Sequence, residues 1–275
     1  MYERLQTEKK SDNIKIEELS TYEMVKKINS FDKTVAYSVE KSLGSIAVLV
    51  DVVVEKIKNG GRLFYVGAGS SGRLGVLDAA ECPPTYGVSP ELVQGVMIGG
   101  DCALRSAIEA AEDDAEDGIS QLKERNFGIK DVCVGISASG CARSVYGALK
   151  YVNAIGAVSA ALVCNLNSKL AEIAKYTVEI DVGPEVIMGS TRMKSGTAQK
   201  MVLNMLSTSV MVKLGRVKDN MMIYMRPTNM KLKERAVRIV SDVMNVSEEQ
   251  ARKVLAKHSY NLGEIFDQYL NDASI

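Results

Sequence analysis

Between residues 62 and 181, the sequence alternates short, almost entirely apolar runs with segments of helical character. Short runs that are apolar at nearly every position are typical of strands covered on both faces of a sheet. Strands that alternate with helices form parallel βαβ units with right-handed crossovers. We therefore predict an α/β fold with a central, mainly parallel sheet of five strands flanked by helices. The predicted strands are 62–66, 92–98, 131–136, 157–164 and 176–181, and the predicted helices between them are 72–81, 102–117, 142–154 and 168–174.

Helical periodicity continues on both sides of this region. Apolar residues spaced three and four apart predict long helices over 34–58 and 192–213. Ahead of them, a polar arm precedes a short helix that begins near Ser20, where Glu23 is placed to complete a capping box.

The character of the sequence changes again after Pro227. Three short helices are predicted at 231–244, 247–257 and 260–270, and the second has Ser247 as N-cap with Gln250 three residues later. We predict a main domain over 1–226 with an N-terminal helical arm, and a small helical module over 227–275.

Charge and cysteine content exclude several classes of protein. Lys+Arg and Asp+Glu both total 34, so the chain lacks the basic excess of a nucleic-acid-binding surface. The five cysteines are scattered without a Cys-x-x-Cys pair, which argues against a zinc site or a disulfide framework. Residues 1–12 lack an apolar signal core, and no apolar run is long enough to span a bilayer. We expect a cytoplasmic protein with no metal, no nucleic-acid partner and no membrane contact.

The first predicted strand passes directly into Gly67-Ala68-Gly69-Ser70-Ser71-Gly72-Arg73. Glycines allow close backbone approach, and the start of the following helix offers unpaired N–H groups and a partial positive charge. Gly69, Ser70 and Ser71 are thus candidate phosphate ligands. Because Arg73 stands where a Walker loop has lysine, the run favours a phosphorylated metabolite over a nucleoside triphosphate.

A second run of this kind, Ser137-Ala138-Ser139-Gly140, follows the third predicted strand. Ligands of open parallel sheets bind beyond the carboxyl ends of the strands, so both loops can converge on one phosphate there. Ser137 and Ser139 are the candidate ligands. Either loop taken alone is equally consistent with an ordinary tight turn.

Two acidic positions are candidates for acid–base chemistry. Glu81 lies at the end of the helix 72–81, where Pro83 and Pro84 are expected to end the helix abruptly. Glu109 and Glu112 lie three apart and are expected to share a face of the helix 102–117, at the start of an acidic cluster. The alternatives are an exposed glutamate at a helix end and a solvated charged face.

The run from Gly183 to Lys194 opens the last long helix. Ser190 or Thr191 is a natural N-cap, whereas Arg192 and Lys194 place positive charge at an unfavourable helix end. We predict that an anion or Glu185 offsets this charge.

Four longer strings carry a resemblance to a known family. They are 67–75, 78–85 (Asp-Ala-Ala-Glu-Cys-Pro-Pro-Thr), 111–113 and 183–200, the last including Gly-Ser-Thr-Arg-Met-Lys-Ser-Gly-Thr-Ala-Gln-Lys. With them, residues 15–260 resemble the N-acetylmuramic acid 6-phosphate etherase family of the sugar isomerase (SIS) superfamily, which is related to glucokinase regulatory proteins. The resemblance implies an SIS-type three-layer domain that forms a cytoplasmic homodimer with its sites close to the subunit boundary.

The resemblance also implies a reaction and a set of roles. The D-lactyl ether of N-acetylmuramic acid 6-phosphate is cleaved by elimination and water addition, which gives N-acetylglucosamine 6-phosphate and D-lactate without any cofactor. The glutamate matching Glu81 acts as general acid, and the one matching Glu112 acts as general base. The phosphorylated amino sugar is bound by Gly69, Ser70, Ser71, Ser137, Ser139, Ser190, Thr191 and Lys194.

One departure from the family pattern keeps other functions open. After Gly140 the family continues Arg-Thr-Pro-Tyr, whereas this chain has Cys141-Ala142-Arg143-Ser144. A phosphate contact from the threonine hydroxyl is lost, although Arg143 or Ser144 is available to substitute. The alternatives are a non-catalytic sugar-phosphate sensor and an aldose–ketose phosphate isomerase on the same scaffold.

Overall fold

A five-stranded parallel sheet forms the centre of the fold, in a computed structural model that describes residues 5–11 and 15–272. The strand order is β2-β1-β3-β4-β5, and every neighbouring pair is parallel. The predicted α/β class and the five predicted strands are confirmed. The strands are β1 (Leu63–Gly67), β2 (Val93–Met97), β3 (Val132–Ser137), β4 (Val158–Val163) and β5 (Tyr176–Glu179).

Helices cover both faces of the sheet. They are α1 (Thr21–Asp32), α2 (Val35–Glu40), α3 (Leu43–Lys58), α4 (Gly69–Tyr86), α5 (Cys102–Arg105), α6 (Asp117–Glu124), α7 (Arg143–Ala154), α8 (Lys169–Ile173), α9 (Lys194–Lys213), α10 (Met230–Met244), α11 (Glu248–Lys257) and α12 (Leu262–Asp272). Both predicted capping boxes, at the starts of α1 and α11, are confirmed.

The two faces have separate hydrophobic cores, as the alternation of side chains along each strand requires. In β1, Leu63 and Tyr65 pack with α2, α3, α4 and α9, whereas Phe64 and Val66 pack with α6, α7 and α8. The three central strands β1, β3 and β4 are buried at every position, whereas the edge strands β2 and β5 are only partly buried and include polar residues.

The C-terminal helices α10 to α12 have a third hydrophobic cluster of their own, running from Ile223 to Phe266. The backbone N–H of Arg226 donates to the carbonyl of Pro84 and so attaches this module to the end of α4. The domain boundary near residue 226 stays a prediction. None of the helices among the described residues is long and apolar enough to cross a membrane.

Two predicted helix boundaries are wrong. The helix expected over 34–58 is divided into α2 and α3, and the hydroxyl of Ser42 in the interruption donates to the carbonyl of Glu179 at 2.6 Å. Pro83 and Pro84 do not end α4, which continues to Tyr86 and stops at Gly87 in the left-handed conformation. Cys82 and Tyr86 are buried on either side of the prolines and hold this last turn against the core.

The helix predicted over 102–117 is also wrong. The chain forms the short helix α5, an extended residue at Ser106, and a 3₁₀ turn at Glu109–Asp113 before α6 begins. The guanidinium of Arg73 accounts for the interruption, because it donates to the carbonyls of Ala103 and Leu104 at 2.8 and 3.0 Å. Repulsion within the acidic cluster that follows also disfavours a continuous helix.

A buried polar network joins α4 to α9 beneath the sheet. The carboxylate of Asp78 accepts hydrogen bonds from Tyr65 Oη, Asn204 Nδ2 and Ser207 Oγ at 2.9 to 3.1 Å. Burial raises the pKa of Asp78, although these hydrogen bonds oppose the increase.

Replacing Asp78 with alanine should lower the free energy of unfolding by about 2–4 kcal/mol, because the buried Tyr65 and Ser207 and the half-buried Asn204 would lose their acceptor. Urea denaturation measures this. Asp51→Ala is the control: its carboxylate is exposed and pairs with Lys213, so its loss should cost at most about 1 kcal/mol. Equal losses in the two variants would contradict the assignment.

The raised pKa also fixes the direction of a pH effect. Because its pKa is higher in the folded protein, Asp78 takes up a proton more readily when the chain is folded. Protonation of Asp78 therefore stabilises the fold fully below the ordinary aspartate pKa, and this stabilisation is lost as the pH rises through the folded-state pKa. Relative to Asp78→Asn, the wild-type protein should therefore gain stability as the pH falls from neutral towards about 4.

Candidate active site

The two serine-containing loops lie side by side at the carboxyl edge of the sheet. This follows from the topology, since β1 and β3 are adjacent and Gly67 pairs with Ile136. Between the loops is a cavity of about 310 Å³, here called the serine cavity. It is lined by Glu8, Ala68, Gly69, Ser70, Ser71, Glu112, Ile136, Ser137, Ala138, Ser139, Ala142, Gly189 and Thr191.

The first loop brings the N-terminus of α4 to the serine cavity. Gly69 has φ +53° and begins the helix, so the N–H groups of its first turn point out of the helix end. The turn is tight, because a Cβ on Gly72 would lie 2.1 Å from the carbonyl oxygen of Gly67. The hydroxyl of Ser71 hydrogen-bonds with Gln199 Oε1 at 2.9 Å, which anchors the loop to α9.

The second loop is held by its own serines. The backbone N–H of Gly140 donates to Ser137 Oγ at 3.1 Å, and that of Cys141 donates to Ser139 Oγ at 3.2 Å. Gly140 has φ +69°, and a Cβ there would lie 2.3 Å from Ser168. The two hydroxyl groups are hydrogen-bonded to each other at 3.3 Å, so one of their protons lies between them and the other is left for an acceptor in the cavity.

A larger outer cavity of about 680 Å³ opens from the serine cavity. The two cavities form one continuous cleft, because they share six lining residues. These are Ala68, Gly69, Glu112, Ala142, Gly189 and Thr191. The outer cavity is also bordered by Arg73 and by small or apolar residues of 103–110. The cleft thus combines a narrow end, lined by serines and the N-terminus of α4, with a wider end lined by small and apolar residues.

Glu112 lies at the junction of the two cavities, but Glu81 lines neither of them. Glu81 is exposed on α4, twelve residues after Gly69. At 1.5 Å per residue this is about 18 Å along the helix axis. The two predicted catalytic glutamates therefore do not meet within one chain.

Of the three substrate ligands predicted around the start of α9, only one lines the cleft. Thr191 lines both cavities, whereas Ser190 and Lys194 line neither. Lys194 is buried, with its ammonium donating to the carbonyl of Val182 and lying 5.1 Å from the ring centre of Phe31. Burial lowers the pKa of Lys194. Its side chain is thus committed to the interior and not to the cleft.

Glu185 caps α9, as the positive charge at this helix end led us to predict. Its fully buried carboxylate accepts from the backbone N–H groups of Lys194 and Ser195, both at 2.9 Å, and from Ser195 Oγ at 2.8 Å. The helix begins at Lys194, so neither Ser190 nor Thr191 is the N-cap that we predicted.

Glu8 is a cleft residue that the sequence analysis missed. It belongs to the polar N-terminal arm, which shows no periodicity or glycine-rich loop that would mark a ligand contact. Only the folded chain brings it beside Gly189 and the serine loops.

Four of the five cysteines are buried, whereas Cys102 at the start of α5 is exposed. Cys82, Cys133, Cys141 and Cys164 are buried thiols, and burial raises the pKa of Cys82 and of Cys164 to about 12. Across residues 5–11 and 15–272, no three or more His, Cys, Asp or Glu side chains cluster as metal ligands do.

The structure also locates the unusual loop Cys141–Ser144. Ala142 lines both cavities, at the position where the family pattern has threonine. Arg143 is exposed and lines neither cavity, and the buried Ser144 Oγ has no hydrogen-bond partner in the described structure. Neither residue is placed to replace the threonine hydroxyl.

Ala142→Thr should therefore strengthen phosphate binding roughly two- to twelvefold, because one new hydrogen bond contributes about 0.5–1.5 kcal/mol. Ala142 also precedes α7 without capping it, so the new hydroxyl should raise helix stability too. Calorimetric titration with inorganic phosphate measures the first effect, and Ala142→Val is the matched control without a hydroxyl. Equal phosphate affinities of the threonine and valine variants would show that the side chain at position 142 does not contact the anion.

Three family models match the chain. The N-terminal SIS domain of glucokinase regulatory protein matches residues 45–153, and the general SIS domain matches 116–209. The C-terminal lid domain of glucokinase regulatory protein matches 219–274. Among solved structures, phosphoheptose isomerases from Neisseria gonorrhoeae and Francisella tularensis share the fold, each with a TM-score of 0.54. They are 21% and 15% identical, and each comparison covers 70% of this chain and 98% of that chain.

Much higher identity is found to N-acetylmuramic acid 6-phosphate etherases. The protein of that name from Christiangramia forsetii is 48% identical over 97% of both chains. Those from Caldanaerobacter subterraneus and Clostridium botulinum strain Okra are 51% and 52% identical, over 94% of this chain and 85% and 86% of theirs. With about half of its residues identical over nearly its whole length, this chain belongs to the N-acetylmuramic acid 6-phosphate etherase family.

Proposed function

We propose that this protein cleaves the D-lactyl ether of N-acetylmuramic acid 6-phosphate, giving N-acetylglucosamine 6-phosphate and D-lactate. The observation that carries the proposal is the serine cavity, which joins two phosphate-type loops to Glu112 in a chain of the etherase family. We also propose that the reaction takes place in the cytoplasm, in the recycling of cell-wall amino sugars.

The phosphate of the substrate binds between the two loops. The N-termini of α4 and α7 point towards this end of the cleft and provide backbone N–H groups and partial positive charge. Ser70, Ser137 and Ser139 add hydroxyl donors at the cavity wall. The sugar begins in the serine cavity and extends past Glu112 into the outer cavity.

The proposed chemistry requires a base and an acid. In the open-chain sugar, the C1 aldehyde makes the C2 proton acidic, and Glu112 removes that proton. The electron pair forms the C2–C3 double bond as the C3–oxygen bond breaks, and Glu81 protonates the departing ether oxygen to release D-lactate. Water then adds across the double bond, with its hydroxyl at C3 and a proton returned to C2.

Since Glu81 is about 18 Å along α4 from the cleft of its own chain, we propose that a second copy of the chain supplies it. Ser70, Leu74, Leu77 and Glu81 form one stripe of α4, at spacings of four, three and four residues. The first three line a groove of about 420 Å³ between α4 and α9, and Leu77 is 51% exposed.

A homodimer with antiparallel α4 helices uses this stripe. If the two-fold axis passes between Gly75 and Val76, Ser70 of one chain lies opposite the partner subunit's Glu81. Such a dimer covers Leu77 and brings an acid to the entrance of each cleft. The two carboxyl groups of one reaction then come from two chains.

D-lactate release tests the proposed activity. Purified protein incubated with N-acetylmuramic acid 6-phosphate should produce D-lactate and N-acetylglucosamine 6-phosphate in equal amounts. Binding without lactate at high protein concentration would overturn the lyase and leave a sugar-phosphate sensor, the alternative that the glucokinase regulatory protein models favour.

A further inference from the structure

The N-terminal segment 5–11 is fixed beside the serine cavity by a buried asparagine. The backbone N–H groups of Gln6 and Thr7 donate to Asn165 Oδ1 at 2.7 and 3.4 Å. Asn165 Nδ2 in turn donates to Thr7 Oγ1 at 2.9 Å and to the carbonyl of Ala138 at 3.0 Å. Thr7 is fully buried. A single side chain at the end of β4 thus connects this segment to the second serine loop.

This anchoring places the carboxylate of Glu8 in the wall of the serine cavity. Glu8 ends the 3₁₀ turn Gln6–Glu8 and lines the cavity together with Gly69, Ser139 and Gly189. Gly189 has φ +73°, and a Cβ there would lie 3.1 Å from Glu8 Oε2. The carboxylate therefore packs directly against the loop that leads to α9.

A carboxylate at this position is unsuited to binding phosphate. An ionised carboxylate only accepts hydrogen bonds, and its negative charge repels a phosphate in the same cavity. It is suited to a ligand that brings neutral donors with the phosphate. The hydroxyl groups and the acetamido N–H of an amino sugar are such donors.

We propose that Glu8 is a specificity-determining residue, which accepts a hydrogen bond from a hydroxyl or acetamido N–H of the sugar and so distinguishes an amino-sugar phosphate from bare phosphate. This proposal rests on the proposed function only in that the proposed function identifies the sugar. Hydrogen bonds to a charged group contribute more than neutral ones, so the loss should weaken sugar-phosphate binding about ten- to a hundredfold.

Calorimetric titration with two ligands tests the proposal without turnover. Glu8→Gln should bind N-acetylglucosamine 6-phosphate at least about tenfold more weakly than wild type, and inorganic phosphate as tightly or more tightly. Thr7→Val removes one anchoring acceptor and should give a smaller loss in the same direction. Glu17→Gln, an exposed glutamate that lines neither cavity, is the matched control and should bind both ligands as wild type does.

Retained phosphate binding shows that a variant is folded with an intact cavity. Equal affinity of Glu8→Gln and wild type for the sugar phosphate would overturn the proposal, as would a parallel loss of both ligands. A wild-type protein that binds phosphate but not the sugar phosphate would overturn it too. Absence of lactate release would affect only the lyase proposal, because these titrations do not depend on catalysis.

Discussion

Replacing Glu112 with glutamine should lower kcat for D-lactate release by about 10²- to 10⁴-fold, the usual contribution of a positioned general base. Glutamine keeps the size of the side chain but cannot accept the C2 proton. The substitution should leave phosphate affinity equal or higher, since a negative charge beside the anion site is removed. Single-turnover kinetics and phosphate titration separate these effects.

The same variant tests the assigned role directly. In deuterated water, the wild-type protein should exchange the C2 proton of the substrate with solvent, and Glu112→Gln should not. Continued exchange at the wild-type rate would place the base elsewhere. Glu116→Gln is the matched control, because Glu116 belongs to the same acidic cluster but lines neither cavity, so its kinetics should be close to wild type.

The sheet could be predicted from the sequence because its signal is local. Each strand is a short run, buried at every position in β1, β3 and β4, and the α/β alternation leaves few possible topologies. The helix over 102–117 could not be excluded in this way. Its carbonyls are taken by Arg73, which lies thirty residues earlier in the sequence, and no periodicity reveals such a contact.

The site was predictable to the extent that its residues lie at strand ends. The two serine loops meet because β1 and β3 pair, and that pairing follows from an open parallel sheet. Glu8 and Lys194 illustrate the limit of this reasoning. Long-range packing alone directs Glu8 into the cleft and the ammonium of Lys194 away from it.

The position of Glu81 leads to the second prediction, which concerns subunits and not single residues. Glu81→Gln and Glu112→Gln should each be nearly inactive as homodimers. Co-expressed with two different tags and purified as heterodimers, the two variants should recover about half of the wild-type activity. In such a heterodimer, one cleft carries both substitutions, whereas the other combines an intact Glu112 with the partner subunit's intact Glu81.

The heterodimer regains activity only if Glu81 of one subunit acts together with Glu112 of the other, so the experiment distinguishes the two arrangements. If both acted within one chain, each cleft of the heterodimer would contain one substitution and lactate release would stay near zero. A heterodimer of wild type with Glu112→Gln is the control, because it retains one complete cleft under either arrangement and should have half activity. Half activity in this control with none in the Glu81→Gln/Glu112→Gln heterodimer would rule out the shared site. A movement within one chain would then have to bring Glu81 to the cleft, across the distance of about 18 Å along α4.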